Sequence, residues 1–230
     1  MSGAEPELRI VEDPASEVAG MLAEVAGAGG HLVLTGGSTP ERAYVMAAGW
    51  GADWRGATVW FGDERCVPPD HPDSNYGMAE RALLSRLENP PRAMRMQGEL
   101  GPDAGAGDYE AEIRSVLGSD PRWDLLLLGM GPDGHVASLF PGKPEVSVTG
   151  RLCVGVPLAG LEPQVPRISL TLPAINGARS VVFLITGESK ARAVARAFGP
   201  DPDRTLPAAL ARPTAGSALV LLDAAAAAEL

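Results

Sequence analysis

The sequence has little of what several large classes of protein depend on. It contains two cysteines and three histidines in 230 residues, and Cys66 and Cys153 lie too far apart to resemble a zinc-binding pair. Acidic residues outnumber basic residues by 29 to 19, which gives a formal net charge of −10. This balance argues against a surface for nucleic acid or an anionic membrane. The apolar runs are short or interrupted by glycine and proline, so none predicts a membrane-spanning helix.

These absences favour an ordinary globular protein of the cytoplasm. The first residues do not have the pattern of a secretory leader, and we expect both cysteines to be free thiols in a reducing compartment. Hydrophobic residues make up 45% of the chain, which is enough to bury a sizeable core. No internal repeat or clear linker divides the sequence. We therefore expect residues 1–230 to form one domain, as a monomer or a weak homo-oligomer.

Short apolar runs alternate with amphipathic helical patterns along almost the whole chain. The predicted strands are 8–11, 31–34, 58–61, 125–128, 152–156, 168–172, 181–185 and 219–222. The first predicted helix begins at Pro14. Four further helices are predicted over 40–48, 76–87, 108–117 and 189–198, and residues 88–104 are predicted to be a connector. Strands that are apolar on both faces and separated by helices indicate a parallel sheet covered on both sides. The predicted fold class is α/β, a three-layer αβα sandwich with a mostly parallel, Rossmann-like sheet.

In such sheets ligands bind beyond the carboxyl ends of the strands, so polar residues directly after strands are the first candidates for a site. Gly36, Gly37 and Ser38 follow strand 31–34 and open a helix. Glycines let a turn expose its N–H groups, and a helix N-terminus adds unpaired donors and partial positive charge. The segment is neither a Walker A loop nor a dinucleotide fingerprint. It predicts a seat for a phosphate or carboxylate, although an ordinary capped turn between strand and helix would have a similar sequence.

A second group of polar residues follows the third predicted strand. Asp63, Glu64 and Arg65 precede a loop that contains three prolines. An arginine at a strand end can clamp an oxyanion with two hydrogen bonds. Asn75 either caps the next helix or contacts a ligand hydroxyl, and Arg167, which precedes a later strand, is a weaker candidate for the same pocket. The competing interpretation of the Asp63–Arg65 triplet is a solvated, charged turn.

The third group lies in "DLLLLGMGPDGHVASLFPG", residues 124–142, where Asp133 and His135 follow a buried strand in a glycine-rich loop. Imidazole ionises near neutral pH and is a common general acid or base, and a nearby carboxylate can orient it. We interpret the two residues as a catalytic pair; the alternative is a histidine that caps a helix beginning near Val136.

Lys190 is predicted in the first turn of a helix, where the dipole disfavours a cation. It either meets an anionic ligand or lies on a solvated helix face.

Other chemistries find no support in the sequence. Ser38 lies in G-G-S-T-P, which is not the G-x-S-x-G elbow of serine hydrolases. The histidines are scattered, so we expect no metal and no cofactor. His31 is expected to be structural, and His71 exposed and idle. Cys66 has no adjacent base, which favours a packing role.

Five segments, in this order, resemble the glucosamine-6-phosphate isomerase/6-phosphogluconolactonase family: "TGGSTP", "FGDERCVPPDHPDSNY", "LGMGPDGHVASLFPG", "RISLTLPAIN" and "ITGESKA". The resemblance covers nearly the whole chain, and the third segment is the most specific. The sequence departs from the deaminases of this family at two places. Arg65 stands where deaminases have a tyrosine after the acidic pair. Ser138–Gly142 replace a Phe-Asn-Glu-Pro segment whose glutamate serves the ring-opening histidine.

Because of these departures, the resemblance implies a lactonase rather than a deaminase. The implied reaction is hydrolysis of 6-phospho-D-glucono-1,5-lactone to 6-phosphogluconate, in the oxidative pentose phosphate pathway. In this interpretation His135 activates water and Asp133 orients the imidazole. The implied substrate-binding residues are Gly36, Gly37, Ser38, Asp63, Arg65, Asn75, Arg167 and Lys190. Two alternatives remain: a glucosamine-6-phosphate deaminase or sugar-phosphate isomerase, and a non-catalytic sugar-phosphate sensor.

Overall fold

The computed structural model describes residues 5–230, so residues 1–4 of the predicted domain lie outside the described part. Residues 5–230 contain ten strands and seven α-helices. The strands are β1 (Glu7–Ile10), β2 (His31–Leu34), β3 (Thr58–Phe61), β4 (Asp63–Arg65), β5 (Arg92–Ala93), β6 (Leu125–Leu128), β7 (Cys153–Val156), β8 (Arg167–Leu170), β9 (Ser180–Ile185) and β10 (Ser217–Leu222). The helices are α1 (Pro14–Gly27), α2 (Ser38–Ala48), α3 (Asn75–Ala82), α4 (Pro102–Leu117), α5 (Leu172–Asn176), α6 (Ala191–Phe198) and α7 (Pro207–Leu210).

Seven strands form the central sheet, in the order β1-β10-β9-β6-β2-β3-β5, and every neighbouring pair is parallel. The sheet has a separate hydrophobic core on each face. On β6, Leu126 and Leu128 belong to the core shared with α4 and α6, whereas Leu125 and Leu127 belong to the core shared with α1 and α2. Strand side chains alternate between the faces, so a strand buried on both sides is apolar throughout. The predicted three-layer αβα sandwich is confirmed.

Helix α1 forms for reasons that are visible in the sequence. Pro14 is its first residue, where a missing N–H costs nothing, and Asp13 Oδ1 accepts a hydrogen bond from Ser16 N at 3.2 Å. Val18 and Leu22 lie one turn apart and are fully buried. Each such side chain contributes about 1.5–3 kcal/mol when it leaves water. The Asp13 cap therefore determines where the helix begins, and the apolar face determines which side packs against the core.

The prediction that 152–156 and 168–172 join the parallel sheet is wrong. The corresponding strands β7 and β8 form a second, antiparallel sheet in the order β4-β8-β7. The segment between them contains no helix, and a parallel crossover normally requires one. In this sheet Arg65 is the register partner of Arg167. The second sheet thereby brings together two arginines that are far apart in the sequence.

Several element boundaries also differ from the sequence-based prediction. The helix predicted over 76–87 ends at Ala82 and is followed by a 3-10 turn. The predicted connector 88–104 contains β5 and the start of α4, because Pro102 occupies a first helical turn that Pro tolerates. Among residues 5–230, no helix is long and apolar enough to span a membrane.

The strand order places a crevice at the carboxyl ends of the two inner strands β6 and β2. From β2 the chain continues to its neighbour β3 on one side, and from β6 it reaches its neighbour β9 on the other. Open α/β sheets bind ligands where the direction of winding reverses, beyond the carboxyl ends of the strands. The ends of β2 and β6 are that point in this fold.

Candidate active site

A cavity of about 270 Å³ opens at the carboxyl ends of β2, β6 and β9. Its volume is slightly below the roughly 300–1,000 Å³ of most ligand pockets, so the cavity suits a small molecule. Nine of the ten predicted site residues line it: Gly36, Gly37, Ser38, Asp63, Arg65, Asn75, His135, Arg167 and Lys190. The tenth residue, Asp133, contacts the wall residue His135.

Asp133 and His135 form a close pair. His135 Nδ1 lies 2.6 Å from Asp133 Oδ1, and the His135 backbone N–H donates to the same oxygen at 3.2 Å. Burial raises the pKa of Asp133, but the hydrogen bond and the charge of His135 outweigh it, so this pKa lies below its usual value. The ionised carboxylate favours a proton on Nδ1. Among residues 5–230, Nε2 has no hydrogen-bond partner, and it is the ring nitrogen left for a ligand.

The glycine-rich loop after β6 makes room for this pair. A Cβ atom on Gly131 would lie 2.0 Å from His135 Nδ1 and 2.6 Å from Asp133 Oδ1, so no side chain fits there. Gly134 has a φ of +85° and Ala137 a φ of +49°, and positive φ angles interrupt a right-handed helix. The alternative in which His135 caps a helix near Val136 is therefore wrong, because residues 132–139 form turns and an isolated bridge between Val136 and Leu139.

The N-terminus of α2 forms another part of the cavity lining. Gly37 precedes this eleven-residue helix with a φ of +114°, and no side chain of residues 5–230 caps the helix start. The first N–H groups of α2 are therefore available, and together with the helix dipole they favour an anion. Gly36 has no side chain because Asn75 occupies that space; an added Cβ would lie 2.1 Å from Asn75 Oδ1.

Three cationic side chains complete the lining, although the chain as a whole is acidic. Arg65 Nη1 donates to the Asp73 carbonyl at 2.6 Å, and Arg167 Nη2 donates to the carbonyls of Leu161 at 3.1 Å and Pro163 at 3.0 Å. The Nε–H groups of both arginines are buried and have no partner among the described residues. A buried donor without a partner costs free energy, and a ligand oxygen that reached these nitrogens would remove that cost.

Lys190 extends from the carboxyl end of β9. It lies in the 3-10 turn Glu188–Lys190 and is the N-cap residue of α6, so the α-helix begins two residues later than the predicted helix over 189–198. Burial lowers the pKa of Lys190, and the charge of Asp133 partly opposes that shift. A half-buried lysine without an ion pair among the described residues is suited to receive an anion.

Asp63 and Asn75 belong to a buried network that supports the cavity. Asp63 Oδ2 accepts from Ser138 Oγ at 2.6 Å, and Asp63 Oδ1 accepts from Asn75 Nδ2 at 3.1 Å. Asn75 is the first residue of α3, but Ser74 caps this helix by accepting from Gly77 N. The option that Asn75 is the cap is thus wrong. Ser138 was not predicted; its only sequence signal is its place in the glycine-rich segment.

Glu64 is a second structural residue that the sequence did not single out for a role. It is 2% exposed, and its carboxylate accepts four hydrogen bonds: from the backbone N–H groups of Arg65, Asn75 and Tyr76 and from Ser74 Oγ. Burial raises the pKa of Glu64, against the effect of these hydrogen bonds. Glu64 closes the loop between β4 and α3, which fixes the backbone that carries Arg65. The triplet is therefore not the solvated turn of the competing interpretation.

The remaining histidines and Cys66 lie outside the cavity lining. His31 begins β2 at the far end of the sheet and accepts a hydrogen bond from Trp60 Nε1 at 3.2 Å, whereas the side chain of His71 is 44% exposed. Burial and the charge of Glu64 raise the pKa of Cys66 to about 11, so it is a neutral thiol at pH 7. Within residues 5–230 there is no group of three or more His, Cys, Asp or Glu residues placed to hold a metal ion.

Fold and site together define an αβα sandwich protein in which a His–Asp pair, a helix N-terminus and three cationic side chains meet at one cavity. The family model described as glucosamine-6-phosphate isomerases/6-phosphogluconolactonase matches residues 9–220. The chain belongs to this family.

Individual relatives agree with this assignment. A 6-phosphogluconolactonase of Synechocystis is 39% identical over 201 residues, covering 84% of this chain and 82% of the relative. A 6-phosphogluconolactonase of Nostoc is 41% identical over 206 residues, covering 86% and 84%. The solved structure of 6-phosphogluconolactonase from Trypanosoma cruzi matches with a TM-score of 0.86 at 27% identity, covering 100% of this chain and 99% of that one.

Proposed function

We propose that this protein is a 6-phosphogluconolactonase that hydrolyses 6-phospho-D-glucono-1,5-lactone to 6-phosphogluconate, with His135 as the general base. The observation that carries the proposal is the His135–Asp133 pair beside a small cavity whose lining also contains Arg65, Arg167 and Lys190. Family membership agrees with it. Ester hydrolysis needs a base for water, donors for an oxyanion and a proton for the leaving oxygen.

In the proposed reaction, His135 Nε2 takes a proton from water as the water oxygen attacks the lactone carbonyl carbon. Asp133 accepts a hydrogen bond from the Nδ1–H group of His135 and stabilises the imidazolium that forms. The tetrahedral intermediate then breaks its bond to the ring oxygen, and His135 returns the proton to that oxygen. The product is an open-chain carboxylic acid, which ionises. Such acid–base assistance accelerates a reaction by about 10²–10⁴-fold, and a strained or activated lactone requires no more.

The two ends of the substrate contact different walls of the cavity. The N–H groups at the start of α2 and the Lys190 ammonium hold the phosphate, because both line the cavity and, among residues 5–230, no side chain caps α2 and Lys190 forms no ion pair. Arg65 and Arg167 are register partners in the antiparallel sheet and line the cavity; in the proposed complex their guanidinium groups contact ligand oxygens, and Arg65 stabilises the oxyanion. Asp63 is hydrogen-bonded to Ser138 and Asn75. In the proposed complex the Asp63 carboxylate accepts hydrogen bonds from sugar hydroxyls, and the Asn75 amide donates to or accepts from them.

The loop after His135 favours hydrolysis over deamination. Residues 138–142 are Ser-Leu-Phe-Pro-Gly, so this segment supplies no acidic side chain beside His135. Its one hydroxyl, on Ser138, is fully buried and hydrogen-bonded to Asp63. An aldose–ketose conversion would require a second proton-transfer group at this place.

Two substrates test the proposal. Freshly generated 6-phosphogluconolactone should disappear well above its spontaneous rate when the protein is added, while glucosamine 6-phosphate should release no ammonia. Robust ammonia release would make the protein a deaminase. Binding of 6-phosphogluconate without faster lactone hydrolysis would make it a sensor.

A further inference from the structure

Phe140 lies between two side chains of the candidate site, although it is not part of the cavity lining. Its ring centroid is 4.6 Å from that of His135, with an interplanar angle of 42°. On the same ring, Arg167 Cζ lies 5.5 Å from the centroid. Phe140 is 2% exposed. The phenyl ring is thus a shared contact of the imidazole and of a buried guanidinium.

The imidazole of His135 needs more than Asp133 to be held in place. The hydrogen bond to Asp133 fixes Nδ1 but still allows the ring to tilt about that contact. The backbone of Gly131 limits movement at one edge, because it approaches Nδ1 and Cε1 closely. Phe140 lies against the ring at a centroid distance within the range in which aromatic pairs attract each other. These contacts leave Nε2 in a single direction, toward the cavity.

Arg167 depends on Phe140 in a similar way. Its Nη2 is bonded to the carbonyls of Leu161 and Pro163, and its Nε has no partner among the described residues. A guanidinium is attracted to the face of an aromatic ring. The phenyl face therefore supports the guanidinium while the Nε–H stays free for a ligand.

Phe140 itself is fixed by its own neighbours. It forms a small buried cluster with Val156 and Ala159. Gly160 leaves room for the ring, since a Cβ atom at that position would lie 2.6 Å from Phe140 Cδ1. Strand β7 and the following loop thus hold the ring in place.

We propose that Phe140 is a positioning residue that keeps the His135 imidazole and the Arg167 guanidinium in a fixed relation. The inference rests on the proposed function, because the alignment matters for water activation at His135. Phe140 supports the general base His135 and also the binding residue Arg167, so its loss should lower kcat through His135 and raise KM through Arg167.

The test compares Phe140→Leu with Phe198→Leu. Phe198 is a suitable control because it is also buried and pairs with another ring, Phe183, at 5.0 Å, but it does not line the cavity. We expect Phe140→Leu to lower kcat by about 10²-fold, the effect of a misplacement near 1 Å. Phe198→Leu should leave kcat close to that of the wild type, and Phe140→Tyr, which keeps the ring, should restore most of the activity.

A second measurement does not depend on activity. The chain has only three histidines, so the imidazole proton signals can be resolved by NMR. The ring-current shift of the His135 protons should disappear in Phe140→Leu and persist in Phe198→Leu.

The outcomes separate this inference from the proposed function. A wild-type protein without lactonase activity would overturn the proposed function, and the role of Phe140 with it. An active wild type whose Phe140→Leu variant matches Phe198→Leu in kcat, or keeps the His135 shifts, would overturn the Phe140 inference alone.

Discussion

Replacing Gly131 by alanine should damage catalysis by moving the acid–base pair. The new Cβ would lie 2.0 Å from His135 Nδ1 and 2.2 Å from Cε1, whereas ordinary contacts begin at 3.4 Å. The imidazole must therefore move by about 1.4 Å, and a displacement near 1 Å can cost about 10²-fold in rate. We expect kcat to fall by about 10²-fold or more, which corresponds to at least ~2.7 kcal/mol in the activation free energy.

The assay for this variant measures kcat, ligand binding and stability together. Product binding should change little, because the phosphate contacts at α2 and Lys190 lie elsewhere, and overpacking should cost about 1–3 kcal/mol of stability. Gly27→Ala is the matched control, since its Cβ would meet nothing within 4 Å. A Gly131→Ala protein with the kcat of the wild type would refute the placement of the pair.

Two further variants test the anion site and the buried network. Lys190→Ala should weaken 6-phosphogluconate binding about tenfold, since a hydrogen bond to a charged group contributes at least about 1.5 kcal/mol; calorimetry measures this, and unchanged affinity would mean that Lys190 is only a solvated surface residue. Burial lowers the pKa of Lys190, so a rise in pH neutralises it earlier than an ordinary lysine; affinity should therefore fall with rising pH, and Lys190→Arg should remove that dependence. Ser138→Ala leaves the buried Asp63 without its 2.6 Å partner and should cost about 1–3 kcal/mol in urea unfolding. Ser85→Ala removes an exposed bond to Glu80 and should cost much less; equal losses would contradict the role of the network.

The sequence allowed much of the central sheet to be predicted, because its strands are apolar on both faces and amphipathic helices separate them. Strands β2, β3 and β6 begin and end as predicted. The polar residues at their carboxyl ends could be placed together, since parallel strands share one edge. Nine of the ten predicted site residues line a common cavity.

The antiparallel sheet could not be predicted in the same way. Strand β7 is as apolar as a central strand and β8 carries Arg167 and Ser169, but only long-range pairing decides which sheet they join. The contacts of Phe140 with His135 and Arg167 depend on that second sheet. Ser138 and Glu64 were equally hidden, because a buried hydrogen-bond network has no spacing pattern in the sequence.

The proposed role of His135 is the central claim, and His135→Asn tests it most directly. The measurement is the rate of 6-phosphogluconolactone hydrolysis above the spontaneous rate, beside calorimetric binding of 6-phosphogluconate to the same preparations. We predict that the wild type accelerates hydrolysis and that His135→Asn loses about 10²–10⁴-fold of this activity while it still binds the product. A variant that hydrolyses the lactone as fast as the wild type would contradict the account.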